Sequence, residues 1–272
     1  MRRPSSFLRS FVTAVATCIC GAGAFASEQR VDLELVLAVD ISGSMDPDEQ
    51  RLQREGYVGA LRHPEVIQAI GSGGHGRIAI AYVEWAGTQA VRVVAPWTLV
   101  DGEATADAFA SLLEAEPLRN APSTSISGAL AFSSGLFDGN GFDGLRRVID
   151  VSGDGPNKQG ASVTMVRDLV VSKGITVNGL PVMLKPNDRS GSFDVSKLDI
   201  YYEDCVIGGF GAFIVPVRAL DEFAAAVRRK LVLEIAGMPP RLIPAQYQKR
   251  PPRIDCMIGE KLWRGRYYNW DN

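Results

Sequence analysis

The sequence predicts an α/β fold: a doubly wound, mostly parallel sheet with one antiparallel edge strand and helices on both faces. Three observations predict it. Strand-like and helix-like segments alternate from residue 31 to residue 236. Several of the strand-like segments are apolar throughout, as strands are when helices cover both sides of the sheet. One connection, Ala86-Gly87-Thr88-Gln89, is too short for a crossover helix, so the strands it joins must form a hairpin.

Residues 31–39 begin with alternation, Asp32 and Glu34 against Leu33 and Leu35, and then become wholly apolar, the pattern of a central strand. Asp46-Pro47-Asp48-Glu49 reads as a helix start, with an N-cap, proline at the first helical position and acids in the first turn. Leu52, Val58 and Leu61 can then face the core. His63-Pro64-Glu65 restarts or kinks the helix, which carries Val66, Ile67 and Ile70 to a glycine-rich stop. Residues 78–85 and 91–95 are the hairpin strands. Residues 105–116 and 127–137 are helical by apolar spacing, 147–152 is a core strand, 163–173 a helix and 175–182 a strand. A last strand, 211–217, and a last helix, 220–236, complete the sheet. After Gly237 the prolines, basic residues and aromatics predict an irregular extension, 238–272, packed on a domain of residues 27–237.

Residues 1–26 stand apart. Arg2, Arg3 and Arg9 precede an apolar run, and Ala24-Phe25-Ala26 is a small-residue cleavage site, so this segment reads as a Sec-type signal peptide cut near Ala26. A membrane anchor is the alternative, but about 18 apolar residues are needed to span a bilayer and this run is shorter. Secretion or a periplasmic location follows, with no transmembrane span after signal removal. Export also removes three arginines and no acids, leaving 26 basic against 31 acidic side chains, a net of −5. That balance argues against a nucleic-acid partner. Cys18 and Cys20 leave with the signal. Cys205 and Cys256 remain for an oxidising compartment, where one disulfide is the expected use and two separate thiols the alternative.

In an open α/β sheet the binding crevice lies beyond the carboxyl ends of the strands, and Asp40 ends the first long strand there. Asp40, Ser42 and Ser44 put an oxygen-bearing side chain at every second residue, so an extended path turns all three to one side. A second oxygen-rich loop, residues 122–127, holds Ser123, Thr124 and Ser125 just before a helix. A third, Ser152-Gly153-Asp154-Gly155, closes the next core strand. Singly, each is an ordinary strand-end acid or hydroxyl-rich turn. As an ordered set, Asp40, Ser42, Ser44, Thr124 and Asp154 offer about five hard oxygens, near the six of octahedral Mg2+, with Mn2+ or Ca2+ as alternatives.

These residues also carry a resemblance. "VDISGSM", the threonine of "STSISGAL" and "DVSGDGPN" resemble the metal-ion-dependent adhesion site (MIDAS) of von Willebrand factor A (VWA) domains, Asp-x-Ser-x-Ser, then Thr, then Asp. "DVSGDGPN" with "YYEDCVIGG" further resembles an exported bacterial subgroup, DUF1194. The resemblance implies that Ser42 and Ser44 bind metal directly, Thr124 directly or through water, and Asp40 and Asp154 mostly through water. It also implies a sixth position for the acidic side chain of a protein partner. Asp150 within "VIDVSGDG" departs from the family's plain apolar strand; a buried acid needs partners, and bracing the metal loops from behind is its expected role.

Other signals do not develop. Both G-x-G-x-x-G matches, at Gly71 and Gly139, follow a helix and precede a strand, the reverse of the dinucleotide context. Asp138, Asn140 and Asp143 lack the terminal Glu of a calcium loop and read as a turn. With only His63 and His75 available, and both in expected loops, a nucleophile–base pair is hard to build, so the chain is not expected to be an enzyme. The expected function is an exported MIDAS-type binding or adhesion module of the cell envelope. The alternatives are a metal-dependent hydrolase and a scaffold with an unused site.

Overall fold

A computed structural model of the chain describes residues 28–184, 197–237 and 252–268. The expected signal peptide, its cleavage point and residues 238–251 of the extension lie outside them.

The chain opens with β1 (Gln29–Val31), β2 (Leu33–Asp40), α1 (Pro47–Leu61), α2 (Pro64–Gly71), β3 (Ile78–Trp85) and β4 (Val91–Val100). It continues through α3 (Glu103–Ala115), α4 (Ile126–Gly135), β5 (Phe142–Gly144), β6 (Arg147–Gly153), α5 (Val163–Ser172) and β7 (Ile175–Pro181). A short α6 (Leu198–Tyr201) runs into a π-helical turn, Tyr202–Val206; a 3-10 turn, Leu220–Glu222, leads into α7 (Phe223–Ala236), and α8 (Ile258–Tyr268) follows.

The main sheet has the order β4-β3-β2-β6-β7, parallel throughout except for β4, which pairs antiparallel with β3. This is the mostly parallel sheet with one antiparallel edge strand that the sequence predicts, without the expected last strand. Alternate residues of β2 divide between two cores, as the period of a strand requires. Leu35, Leu37 and Val39 pack with α1, α2, α3 and α7; Val36 and Ala38 pack with α4, α5 and α6. Register matters most for the site. Asp40 lies opposite Trp85, and Val39 opposite Ser152, so β2, β3 and β6 end almost level.

The helix starts follow the expected chemistry. Asp46 caps α1, its Oδ1 accepting the Asp48 and Glu49 amides, while Glu49 accepts the Asp46 amide in return. His63 caps α2 through Nδ1. β4 runs five residues beyond its expected end, past Pro96. A proline is tolerated there because β4 is an edge strand and the register shifts around Tyr82, leaving the exposed ring outside the ladder.

Three expectations are corrected. The last strand, 211–217, forms only single bridges to the β7 side, at Ile214 and Val217. Val215 and Val217 donate to the Gly179 and Pro181 carbonyls, but Pro181 has no N–H to give to the Val215 carbonyl, so the ladder breaks into isolated pairs. The extension is not irregular throughout, since it contains α8, and Asp255 accepts the Met257 amide at 3.0 Å just before that helix. The Asp138–Asp143 segment is more than a turn. It delivers β5 to a parallel pairing with β1, and Asn140 Nδ2 (2.6 Å) and the Gly144 amide (2.8 Å) both donate to the buried Glu34 carboxylate. Arg147 Nε, at 3.2 Å, completes the partners of that acid.

Candidate metal centre

Four loops meet over the level strand ends. The path after β2 bridges to Ala121 at Ser42, and the Ala121 amide donates to the Ile41 carbonyl at 3.1 Å. The Ser125 amide donates to the Ala86 carbonyl at 2.7 Å, and the Lys158 and Gln159 amides donate to the Thr124 carbonyl at 2.9 and 3.1 Å. The loop bearing Thr124 is thus tied to the β3–β4 turn and to the segment beyond Asp154.

Within this frame Ser42, Ser44 and Asp154 come together. The Ser42 and Ser44 hydroxyls lie 3.0 Å apart, and Ser44 Oγ donates to Asp154 Oδ1 at 2.7 Å. Asp40 sits beneath them, fully buried, with Oδ1 accepting the Ser42 amide at 2.7 Å. Burial pushes the Asp40 carboxyl well above the usual carboxylate range, and the charge of Asp154 pushes it further; the Ser42 backbone and side chain oppose the rise. Ser44 is exposed and Asp154 half-buried, so the cluster opens to solvent on that side.

Thr124 is also fully buried and makes no side-chain hydrogen bond to the other four. Of its flanking serines, Ser125 is committed elsewhere: its hydroxyl donates to the Gln159 carbonyl at 2.9 Å and accepts the Gly128 amide at 3.1 Å, capping α4. Ser123 has a positive φ of 70°, rare for a non-glycine residue, and holds the tight path into Thr124.

Two oxygens test whether a cation fits. Asp40 Oδ2 and Thr124 Oγ1 are buried without any hydrogen-bond partner, a state that is costly unless something else satisfies them. A hard cation among two carboxylates and three hydroxyls satisfies both. Among the described residues no group of three or more His, Cys, Asp or Glu could hold a metal, so the hydroxyls are indispensable to the fit.

The floor under Asp40 was not anticipated. A side chain at Gly153 would bring its Cβ within 2.9 Å of both Asp40 Oδ2 and Tyr202 Oη and 3.3 Å from the Trp85 ring. Only a residue without Cβ lets Asp40 and the phenol from the π-helical turn approach the end of β6 together. Gly153→Ala is therefore expected to lower stability by about 1–3 kcal/mol through overpacking, measured by urea unfolding.

Asp150 does not brace these loops. Its carboxylate points to the opposite side, where Lys230 Nζ of α7 lies 2.6 Å away and also contacts Glu234. The residue sits on the α1–α7 face because β6 alternates, sending Ile149 and Val151 to the other core. Cys205 and Cys256 are joined, with Cα atoms 5.5 Å apart.

Comparison with known families and structures agrees with this architecture. The family described as protein of unknown function (DUF1194) matches residues 30–239. The chain belongs to the DUF1194 family. Its fold is that of VWA domains. The pilus adhesin SpaC of Lactobacillus rhamnosus GG aligns with a TM-score of 0.57 at 13% identity, over 77% of this chain and 31% of the adhesin. Proximal thread matrix protein 1 of the mussel byssus, in a structure with a zinc-occupied MIDAS motif, aligns at 0.52 and 15% identity over 78% of this chain and 49% of its own. A von Willebrand factor type A protein from Catenulispora acidiphila aligns at 0.50 and 14% identity over 75% and 43%. The chain thus spans less than half the length of each of these proteins, and at such identities the likeness is one of fold. No curated protein matches the chain.

Proposed function

We propose that this DUF1194 chain is an exported protein-binding module of the cell envelope, in which Asp40, Ser42, Ser44, Thr124 and Asp154 hold a divalent cation, Mg2+ or alternatively Mn2+ or Ca2+. The observation that carries the reading is the pair of buried, unpartnered oxygens, Asp40 Oδ2 and Thr124 Oγ1, beneath the solvent-facing Ser44 and Asp154. The zinc-occupied MIDAS motif of the mussel protein, which shares the fold, supports it. Ser42 and Ser44 would supply direct ligands, Thr124 a direct or water-mediated one, and Asp40 and Asp154 would act mostly through water and balance the charge. The cation would supply a positive centre, open on one side, to which an acidic side chain of a protein partner can bind. Export rests on the signal-like residues 1–26; among the described residues no helix is long and apolar enough to cross a membrane.

Two measurements test this. Mg2+ at a hundredfold excess over its Kd stabilises a native-state binder by about 2.7 kcal/mol, a rise of roughly 5–10 °C in Tm for a chain of this size. Asp40→Asn is expected to abolish that rise. A wild-type Tm blind to Mg2+, Mn2+ and Ca2+ refutes the metal. A pull-down from envelope extract, with Mg2+, with chelator and with Asp40→Ala, tests the partner, and identical retained proteins in all three refute the binding role. Hydrolysis gains no support from the histidines, since His63 caps α2 and His75 lies at the turn whose amide binds Asp32.

A further inference from the structure

Asn157 lies three residues beyond Asp154 and is completely buried. Its side chain is used on both sides. Oδ1 accepts the amide of Ser127, three residues after Thr124, at 3.0 Å. Nδ2 donates to the Ala161 carbonyl at 3.2 Å and to Glu260 Oε1 at 2.7 Å. Its backbone amide donates to the Tyr201 hydroxyl at 3.1 Å. The amide group has only one orientation that satisfies all of these, because a donor faces one end and two acceptors face the other.

Glu260 comes from α8, in the C-terminal extension. It is 5% exposed, and its second oxygen, Oε2, is buried without a hydrogen-bond partner. The helix reaches the loop closely. A Cβ at Gly259 would stand 2.0 Å from the Asn157 carbonyl oxygen, so the first turn of α8 rests directly on the loop backbone. The extension is fixed separately by Cys256 and by Arg253, whose guanidinium meets Glu203 and Asp204.

From this geometry we infer that Glu260 is a positioning residue for the metal centre: through Asn157 it fixes the distance between the loop bearing Asp154 and the loop bearing Thr124. The inference rests on the proposed function above. A carboxylate accepting from Nδ2 strengthens the hydrogen bond made by Oδ1 at the other end of the same amide. Without it Nδ2 keeps only the Ala161 carbonyl, at 3.2 Å, and the link from Asn157 to Ser127 loosens. Two of the proposed donors then lose their common reference. Partners that hold metal ligands from behind are worth about 10–100-fold in metal affinity.

The test is a Mn2+ titration of the full chain by calorimetry, alongside the Tm of each metal-free variant. Glu260→Ala is expected to weaken Mn2+ binding by about 10–100-fold. Glu260→Gln, whose side-chain carbonyl still accepts from Asn157 Nδ2, is expected to recover most of that affinity, which a loss due to general loosening would not do. Gly259→Ala keeps the carboxylate in the chain but moves it off Asn157 by displacing α8 from the loop; it serves where Glu260→Ala fails to fold, and is expected to weaken binding as well. Wild-type affinity in folded Glu260→Ala or Gly259→Ala overturns the inference while leaving the metal centre standing. A wild-type chain that binds no Mn2+ overturns both, and the Asp40→Asn control separates the two cases.

Discussion

Lys230→Met is expected to lower the unfolding free energy at pH 8 by roughly 3–5 kcal/mol, the range for breaking a buried ion pair from one side. Lys230 is 1% exposed and is the cation between two carboxylates, Asp150 on β6 and Glu234 one helical turn along α7. Asn178 on β7 donates to Glu234 Oε1 at 3.1 Å, the Phe213 ring lies 5.1 Å from the ammonium, and the buried Tyr57 hydroxyl faces the group from α1. Removing the ammonium leaves two buried acids with one amide between them. A variant that loses less than about 1 kcal/mol at pH 8 contradicts this account.

The same cluster sets a pH dependence. Burial, and then the charge of Asp150, push the Glu234 carboxyl up to about 7, against the opposing pull of Lys230 and Asn178. Burial raises Asp150 in the same direction. Between the ordinary Glu value and about 7 the native state therefore holds a proton that the unfolded chain has released. Stability from this group is complete below the unfolded value and is lost as pH rises through about 7, a change of about 3 kcal/mol. Glu234→Gln removes the titration and is expected to flatten urea-unfolding stability between pH 5 and pH 8. Lys230→Met is expected to steepen it, because at pH 5 both acids can take up protons.

Asp150 also shows where sequence reasoning stops. Its strand and burial were legible, because "RVIDVSG" is an apolar run ending in a loop. Its role was not, because the partner that neutralises it is supplied by α7, 80 residues later in the chain, and strand alternation carries it to the face away from the metal loops. The centre itself was legible because each part is local: a carboxylate or hydroxyl at a strand end, with turn residues beside it. What could not be read is how the parts are held. Asn157 stands in the quoted "DGPN", but its use depends on Ser127 and on Glu260, which is 103 residues distant. The lost strand at 211–217 has a readable cause in Pro181, which cannot donate to a neighbouring strand, whereas α8 is polar on average and, among its described residues, is buried at Gly259 and Glu260, where it meets the Asn157 loop.

Removing the Cys205–Cys256 bridge is expected to cost about 4 kcal/mol, the chain-entropy value for a cross-link across 51 residues. The variant that reads this cleanly is Cys205→Ala with Cys256→Ala. Cys205 is fully buried beside Tyr201 and Tyr202, so serine there would add an unpartnered hydroxyl to the loss. Once the bridge is gone, the described residues of the extension still make polar and apolar contacts with the domain. The Arg253 pairs with Glu203 and Asp204 are exposed and worth little. Ile254, Ile258 and the buried Glu260–Asn157 bond also remain, and they work against the entropy cost of keeping the segment ordered. The loss should therefore appear first at the C-terminus: limited proteolysis of the double variant is expected to cut within residues 252–268 while β2, β3 and β6 stay protected. Urea unfolding within about 1 kcal/mol of wild type, or cleavage spread evenly over the chain, would show that packing rather than the cross-link holds α8 against the Asp154 loop.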